Sequence, residues 1–195
     1  MVRASVASVR ERLLQAADKL FYEEGIHAVG IDRVLEAAGV AKASLYGAFG
    51  SKDNLVAAYL IGRSQQIRER VHTEIAKHDD PRSQILAVFD SLIGRTTEAS
   101  YRGCPFVNAC GEGPSLPSAA RAVSADHRRW RQDLFVRLAT ELGAEDPSGL
   151  GKGLSLVYDG GVVGSSMDGD VNAPRMARRL AERLVDERTA RRRKK

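Results

Sequence analysis

Cysteine is almost absent from this chain: Cys104 and Cys110 are the only two among 195 residues. They miss the CxxC spacing of a redox or zinc motif. If one helix carries both, its rise separates them by roughly 9 Å, beyond disulfide reach. The expectation is two buried, reduced thiols, with redox sensing as the other reading. Histidine is equally sparse, and the four present show no H-x-x-x-H or Cys/His pairing, which argues against a metal site. No apolar run approaches the roughly 20 residues that cross a bilayer, so no membrane partner is expected. The opening MVRASVASVRERLL has no apolar stretch of the secretory kind, and a cytoplasmic location is expected. No segment alternates with a period of two for long enough to build a sheet, and no internal repeat is present.

Catalytic signatures are missing as well. Gly151-Lys152-Gly153 lacks the upstream Gly and the following Ser or Thr of a phosphate loop. Asp168-Gly169-Asp170-Val171-Asn172 begins like a calcium loop, but Ala173 replaces its Gly and Arg179 its closing Glu. No G-x-S-x-G occurs. The chain is not expected to be an enzyme, nor to carry a cofactor.

What is present is an ordinary globular composition, 43% hydrophobic and 28% charged. The net charge of +5 suggests a nucleic-acid partner until its location is noted. Six basic residues (Arg188, Arg191, Arg192, Arg193, Lys194 and Lys195) fall in the last eight positions, with no acid among them, leaving the preceding 187 residues at −1. The basic signal is therefore a C-terminal tail, either simply solvated or a source of non-specific attraction to DNA.

Helical periodicity accounts for nearly everything before that tail. Ser8-Val9-Arg10-Glu11 is a capping box, followed by Leu13, Leu14, Ala17, Leu20 and Phe21 at helical spacing and a stop at Gly25. Two short helices follow, at about 31–38 and 42–48, with only Gly39-Val40 between their patterns. Ser51 caps a much longer helix, and Asp79-Asp80-Pro81 ends it and starts another. A short helix at Cys104–Cys110, a long one running to Gly143, and two more at about 147–167 and 173–190 complete the pattern. The expectation is an all-α chain of about nine helices. A three-helix helix-turn-helix DNA-binding domain spans 1–56, a helical ligand-binding and dimerisation domain 57–187, and the basic tail 188–195.

The informative stretch runs from Ile31 to Phe49. Two short helices joined by a tight Gly turn form a helix-turn-helix, which places its second helix in the DNA major groove. Ala38 is small where the helices meet, and Gly39 accepts a left-handed conformation. Leu45 and Phe49, four apart, share the inward face. That register turns Lys42, Ala43, Tyr46 and Gly47 outward, with Ser44 and Ala48 flanking. Lys42 can donate to guanine acceptors or phosphate, and the Tyr46 and Ser44 hydroxyls can hold phosphates. Lys52 stands at the next helix N-terminus, where backbone amides favour an anion. Spacing alone leaves open an αα-hairpin that packs without touching DNA, or a helical scaffold with a vestigial motif.

Residues 10–56 resemble the DNA-binding domain of the TetR family of bacterial regulators. The matching pieces are Leu20–Gly25, Val34–Val40, Lys42–Phe49 and Ser51–Leu55, with a Leu-Tyr-x-x-Phe-x-x-Lys framework at 45–52. The resemblance implies phosphate contacts from Tyr46 and Lys52 and a base-reading surface of Lys42, Ala43, Gly47 and Ala48. Many relatives carry a hydroxyl residue where this chain has Val29-Gly30, so one side-chain phosphate contact is lost, for which Arg33 could compensate. Direct readout is expected to be sparse, leaving more to DNA shape. The partners implied are double-stranded operator DNA, a second copy of the chain and a small-molecule inducer. The usual outcome is a repressor that leaves its operator when the inducer binds.

A second, shorter likeness concerns Gly103–Ala109, which is similar to a segment in a TetR subgroup that regulates drug-efflux or oxidoreductase genes. It implies an apolar or aromatic effector. Phe89, Ile93, Phe106, Asn108, His127, Trp130 and Tyr158 are the candidate pocket residues, with core packing the other reading of each. The penultimate helix contains Gly149, Gly151, Gly153, Gly160, Gly161 and Gly164, an unfavourable composition for a helix interior unless backbones approach closely. The family pairs its last two long helices across a two-fold axis, which makes Leu154, Val157, Gly161, Val162, Met176, Leu180 and Leu184 the candidate interface.

Overall fold

A computed structural model of the chain describes residues 7–113 and 116–190, with side chains to 187. The basic tail expected at 188–195 lies outside them, apart from the backbone of 188–190. The described residues form nine helices and no strand: α1 (Val9–Glu24), α2 (Ile31–Ala38), α3 (Lys42–Phe49), α4 (Lys52–Ile75), α5 (Pro81–Thr96), α6 (Pro105–Gly111), α7 (Ser118–Glu141), α8 (Pro147–Met167) and α9 (Ala173–Ala190). None of these helices is long and apolar enough to cross a membrane.

Local chemistry sets most of the boundaries. The Ser8 hydroxyl accepts from the Glu11 amide at 3.2 Å, while the Glu11 carboxylate accepts from the Ser8 amide at 2.7 Å, closing the capping box. Asp80 and Asp146 cap α5 and α8 by accepting from the Ser83 and Gly149 amides at 2.9 and 2.8 Å, and each is followed by Pro at the first helical position. Gly39 ends α2 at φ 62°. The Val40 amide then donates back to the Leu35 carbonyl at 3.2 Å, so the chain reverses within two residues and enters α3.

The helices gather into two compact units. One comprises the chain up to Ser64 together with Pro105–Ala125; the other comprises Gln65–Cys104 and the chain from Asp126 onward. The division does not follow the linear boundary expected at residue 56. α4 contributes to both units, and α6 with the start of α7 belongs to the first. A reason lies in Glu112, just past α6, whose carboxylate accepts from the Ile26 and His27 amides at 2.8 and 2.7 Å.

Leu13, Ala17, Val29, Val34, Leu45 and Leu55 are fully or almost fully buried in the first unit. Its Phe21 and Tyr59 rings meet edge to face at 5.6 Å. In the second unit Phe89 is central, with its ring 5.7 Å from both Phe135 and Tyr158. Ion pairs stitch α5 to α9, Arg82 to Glu182 and Asp186, and Arg178 to Asp90. The cysteines depart from expectation: Cys104 is buried and Cys110 exposed, both as free thiols. Cys104 precedes α6 rather than lying on it, and the position of Cys110 on α6 turns it to solvent.

Candidate nucleic-acid interface

The first unit presents α3 as a surface rather than as a core element. Leu45 and Phe49 are buried at 0% and 8% exposure and anchor the helix. Lys42, Ala43, Tyr46 and Gly47 are exposed, and Ser44 and Ala48 lie half-buried at the margins. A methyl group added at Gly47 would meet nothing within 4 Å, so its backbone is open to an approaching partner. The Arg10 guanidinium lies over the Phe49 ring at 4.9 Å, bringing a cation from α1 to the end of this helix.

Charged candidates are arranged in three ways. Lys42 is exposed and 3.5 Å from Asp32, an exposed pair that water and salt screen and a phosphate can replace. Arg33 is also exposed, but its guanidinium is committed to Glu24 at 2.8 Å. Lys52 differs most from a simple surface cation. Its ammonium donates to the Ile26 and Val29 carbonyls at 2.8 and 2.6 Å and approaches the Phe21 ring. Partial burial lowers its pKa, partly offset by the nearby Glu112 and Asp53 carboxylates. An ammonium has three protons, so one remains for an anion.

Lys52 and Glu112 thus grip the same loop between α1 and α2, one holding its carbonyls and the other its amides. Glu112 carries no sequence signal, since its partners are 86 and 85 residues away. Arg63 on α4 adds a second brace, bonding the Asp18 carboxylate through Nε and Nη2 at 2.6 and 2.9 Å and stacking over the Tyr22 ring at 4.0 Å. These contacts brace the helix-turn-helix from behind and leave Lys42, Ala43, Tyr46 and Gly47 exposed on its outer face.

The candidate pocket residues divide between the units. Phe89, Ile93, His127, Trp130 and Tyr158 belong to the second; Phe106 and Asn108 belong to the first, where Phe106 is buried and Asn108 exposed. Within the second unit, Phe89 packs on Tyr158, and the His127 and Trp130 rings lie 5.5 Å apart. Ile93 is half-buried on α5. A groove of about 360 Å³ on this unit is lined by His72, Asp126, Arg129, Trp130, Asp133, Leu134 and Arg137, of which only Trp130 stood among the candidates.

The candidate interface residues also divide. Leu154, Gly161 and Val162 are covered by their own chain. A Cβ at Gly161 would lie 2.8 Å from that of Ala177 on α9, so this glycine serves packing inside the chain. All three are packed within their own chain. Val157 and Leu184 are half-buried, whereas Met176 and Leu180 are 49% and 44% exposed. Beside them α8 exposes Leu156, Gly160, Val163 and Met167, which the sequence reading had passed over. Their spacing of four, three and four puts them on one helical face, and both faces of α8 are apolar.

Comparison with known proteins agrees with this geometry. Residues 13–59 match the family model for bacterial regulatory proteins of the tetR family. A crystallised TetR-family transcriptional regulator from Streptomyces coelicolor is 31% identical, with a TM-score of 0.85 over 93% of this chain and 96% of its own. The uncharacterised HTH-type transcriptional regulator YxaF of Bacillus subtilis is 24% identical over 79% of this chain and 83% of its own length. The transcriptional activator FasR of Mycolicibacterium smegmatis is 33% identical over 43% of this chain and 38% of its own length. With a matching helix-turn-helix and a likeness that extends over nearly the whole chain, the protein belongs to the TetR family of DNA-binding transcriptional regulators, and is not an enzyme.

Proposed function

We propose that the protein is a homodimeric repressor that leaves its operator when a small molecule binds its second unit. The observation that carries this reading is the exposure of Lys42, Ala43, Tyr46 and Gly47 on α3 while Leu45 and Phe49 anchor the opposite side. With Gly47 open, the helix backbone can approach base edges closely. Ala43 and Ala48 contribute shape and methyl contact, and Lys42 contributes a donor. The Tyr46 and Ser44 hydroxyls and the remaining Lys52 proton serve phosphates; Arg33 does so only by exchanging Glu24 for DNA.

Dimerisation is assigned to the exposed apolar face of α8 and α9: Leu156, Gly160, Val163 and Met167 with Met176 and Leu180, and Val157 and Leu184 at its margin. Two copies related by a two-fold axis present their α3 helices to successive major grooves, about 34–36 Å apart. The effector is assigned to the second unit around Phe89, Ile93, His127, Trp130 and Tyr158; Phe106 and Asn108 are left out of it. A ligand that favours a different spacing of the two reading heads lowers operator affinity by its differential binding to the two states. The site of action is the cytoplasm, where the DNA is.

The experiment is a fluorescence-anisotropy titration of the DNA upstream of the protein's own gene at several salt concentrations. The expected result is sequence-selective binding that Tyr46→Phe weakens several-fold and Lys42→Ala weakens with a shallower salt slope. Binding that ignores sequence, or that neither substitution changes, overturns the reading. A promoter fusion distinguishes repression from activation.

A further inference from the structure

Several basic side chains of the first unit have partners inside it. Arg12 donates to the Gly39 carbonyl at 3.5 Å, Arg33 is paired with Glu24, and Arg63 with Asp18. Arg10, in the first turn of α1, is different. It is exposed. Among the described residues its guanidinium has the Phe49 ring at 4.9 Å and no carboxylate within ion-pair distance. Glu11, its neighbour in sequence, turns to the Ser8 amide instead and closes the capping box. An aromatic face attracts a cation without supplying an oxygen acceptor. The Arg10 N–H groups therefore keep their capacity for the paired oxygens of a phosphate.

The place of this cation bears on DNA. Lys42 is the first residue of α3 and Phe49 the last. The eight residues of the helix span about 12 Å, which is also the approximate width of the major groove. A helix seated there brings its ends close to the sugar-phosphate walls. Lys42 is exposed at one end, and Arg10 is held over the other. The exposed residues Ala43, Tyr46 and Gly47 lie between them. The position of Arg10 is fixed from within α1, because the capping box sets the first turn and Arg12 ties the next residues to the turn between α2 and α3. A guanidinium so held loses little freedom on meeting a phosphate. Arg10 precedes residues 13–59, so the family match assigns it no part.

We propose that Arg10 is a further operator contact, its guanidinium binding a backbone phosphate beside the bases that α3 reads. The assignment rests on the reading of α3 as the helix in the major groove and adds a contact from α1. The competing part for Arg10 is to cover the Phe49 ring, which steadies α3 without touching DNA.

Two variants of the full-length protein separate these parts. Arg10→Gln keeps a stem that covers the ring and removes the charge, whereas Arg10→Lys keeps the charge. Each is titrated, beside the unsubstituted protein, with the DNA upstream of the protein's own gene at several salt concentrations, and melting curves verify that each is folded. Arg10→Gln should weaken binding several-fold and lower the salt slope by about one for each chain bound, with base preference unchanged. Arg10→Lys should restore the slope. Ethylation interference should reveal a phosphate whose modification hinders the unsubstituted protein and leaves Arg10→Gln indifferent. Weaker binding at an unchanged salt slope assigns Arg10 to Phe49 alone and overturns the proposal, as does unchanged affinity. If Lys42→Ala and Tyr46→Phe still weaken selective binding in that case, the reading of α3 stands without the Arg10 contact. The reverse pattern, a lowered slope for Arg10→Gln with both α3 variants silent, supports the phosphate contact and overturns α3 as the reading helix.

Discussion

Helical glycines play opposite parts at two places in the molecule, on α8 of the second unit and on α3 of the first. On α8 of the second unit, a Cβ at Gly151 would lie 2.9 Å from the Val136 backbone nitrogen, and one at Gly161 2.8 Å from the Ala177 Cβ. On α3 of the first unit, a Cβ at Gly47 would touch nothing within 4 Å. A helical glycine costs roughly 0.5–1 kcal/mol relative to alanine in either place. At Gly151 and Gly161 close helix packing offsets that cost within the fold, and at Gly47 nothing in the folded chain does. The difference teaches that an unfavourable residue without an internal compensation marks a surface shaped for something else. Polar groups divide in the same way. The first unit uses Glu112 and Lys52 to hold backbone amides and carbonyls, whereas the second buries the Arg95 and Arg131 guanidiniums and the His127 imidazole.

Four measurements test this contrast, beginning with the largest expected effect. Gly151→Val forces side-chain atoms against the α7 backbone and should destabilise the protein by about 3 kcal/mol in urea unfolding, as overpacking does. A loss within experimental error would mean that α8 and α7 are not in close contact. Glu112→Ala leaves the Ile26 and His27 amides without their acceptor, and about 2 kcal/mol of stability should go with it. Operator affinity should fall too, since the loop behind α3 is freed on its amide side; unfolding curves and anisotropy on one preparation separate the two effects.

The third measurement concerns the second unit and its pH dependence. His127 has a pKa of about 3 in the folded chain, against 6.5 for an ordinary imidazole. Between those values the unfolded chain holds a proton that the folded chain does not. The contribution is therefore intact above pH 6.5 and lost as pH falls toward 3, at roughly 1.4 kcal/mol per pH unit. His127→Gln should flatten that part of the stability profile, and an unchanged slope would contradict the burial of a neutral imidazole. The smallest effect is expected from Gly47→Ala, which should raise stability by about 0.5–1 kcal/mol while weakening operator binding. A gain in both would remove Gly47 from the DNA interface.

Much of the first unit was legible because its signals are local. The Ser8–Glu11 box, the left-handed turn at Gly39 and the four-residue spacing of Leu45 and Phe49 each depend on neighbours within a few positions. Helical phase then followed, and with it the exposed set on α3. The direction of Lys52 was not legible. Its position beside an N-terminal anion site suggested a free phosphate ligand, whereas two carbonyls more than twenty residues earlier claim most of its donors. On α8 both faces are apolar and glycine is spread around the helix, so periodicity did not distinguish the core face from the exposed one.

By itself the sequence determined the helical class, the order and ends of the helices, and the residues that α3 turns outward, because caps, turns and helical periodicity act over one or two turns of chain. Tertiary structure alone decided that Glu112 clamps a loop 85 residues away, that Leu154, Gly161 and Val162 face inward, and that Arg131, Arg95 and His127 share one buried environment. These depend on which distant segments come together to bury apolar surface, and that outcome belongs to the packed chain rather than to any local pattern within it.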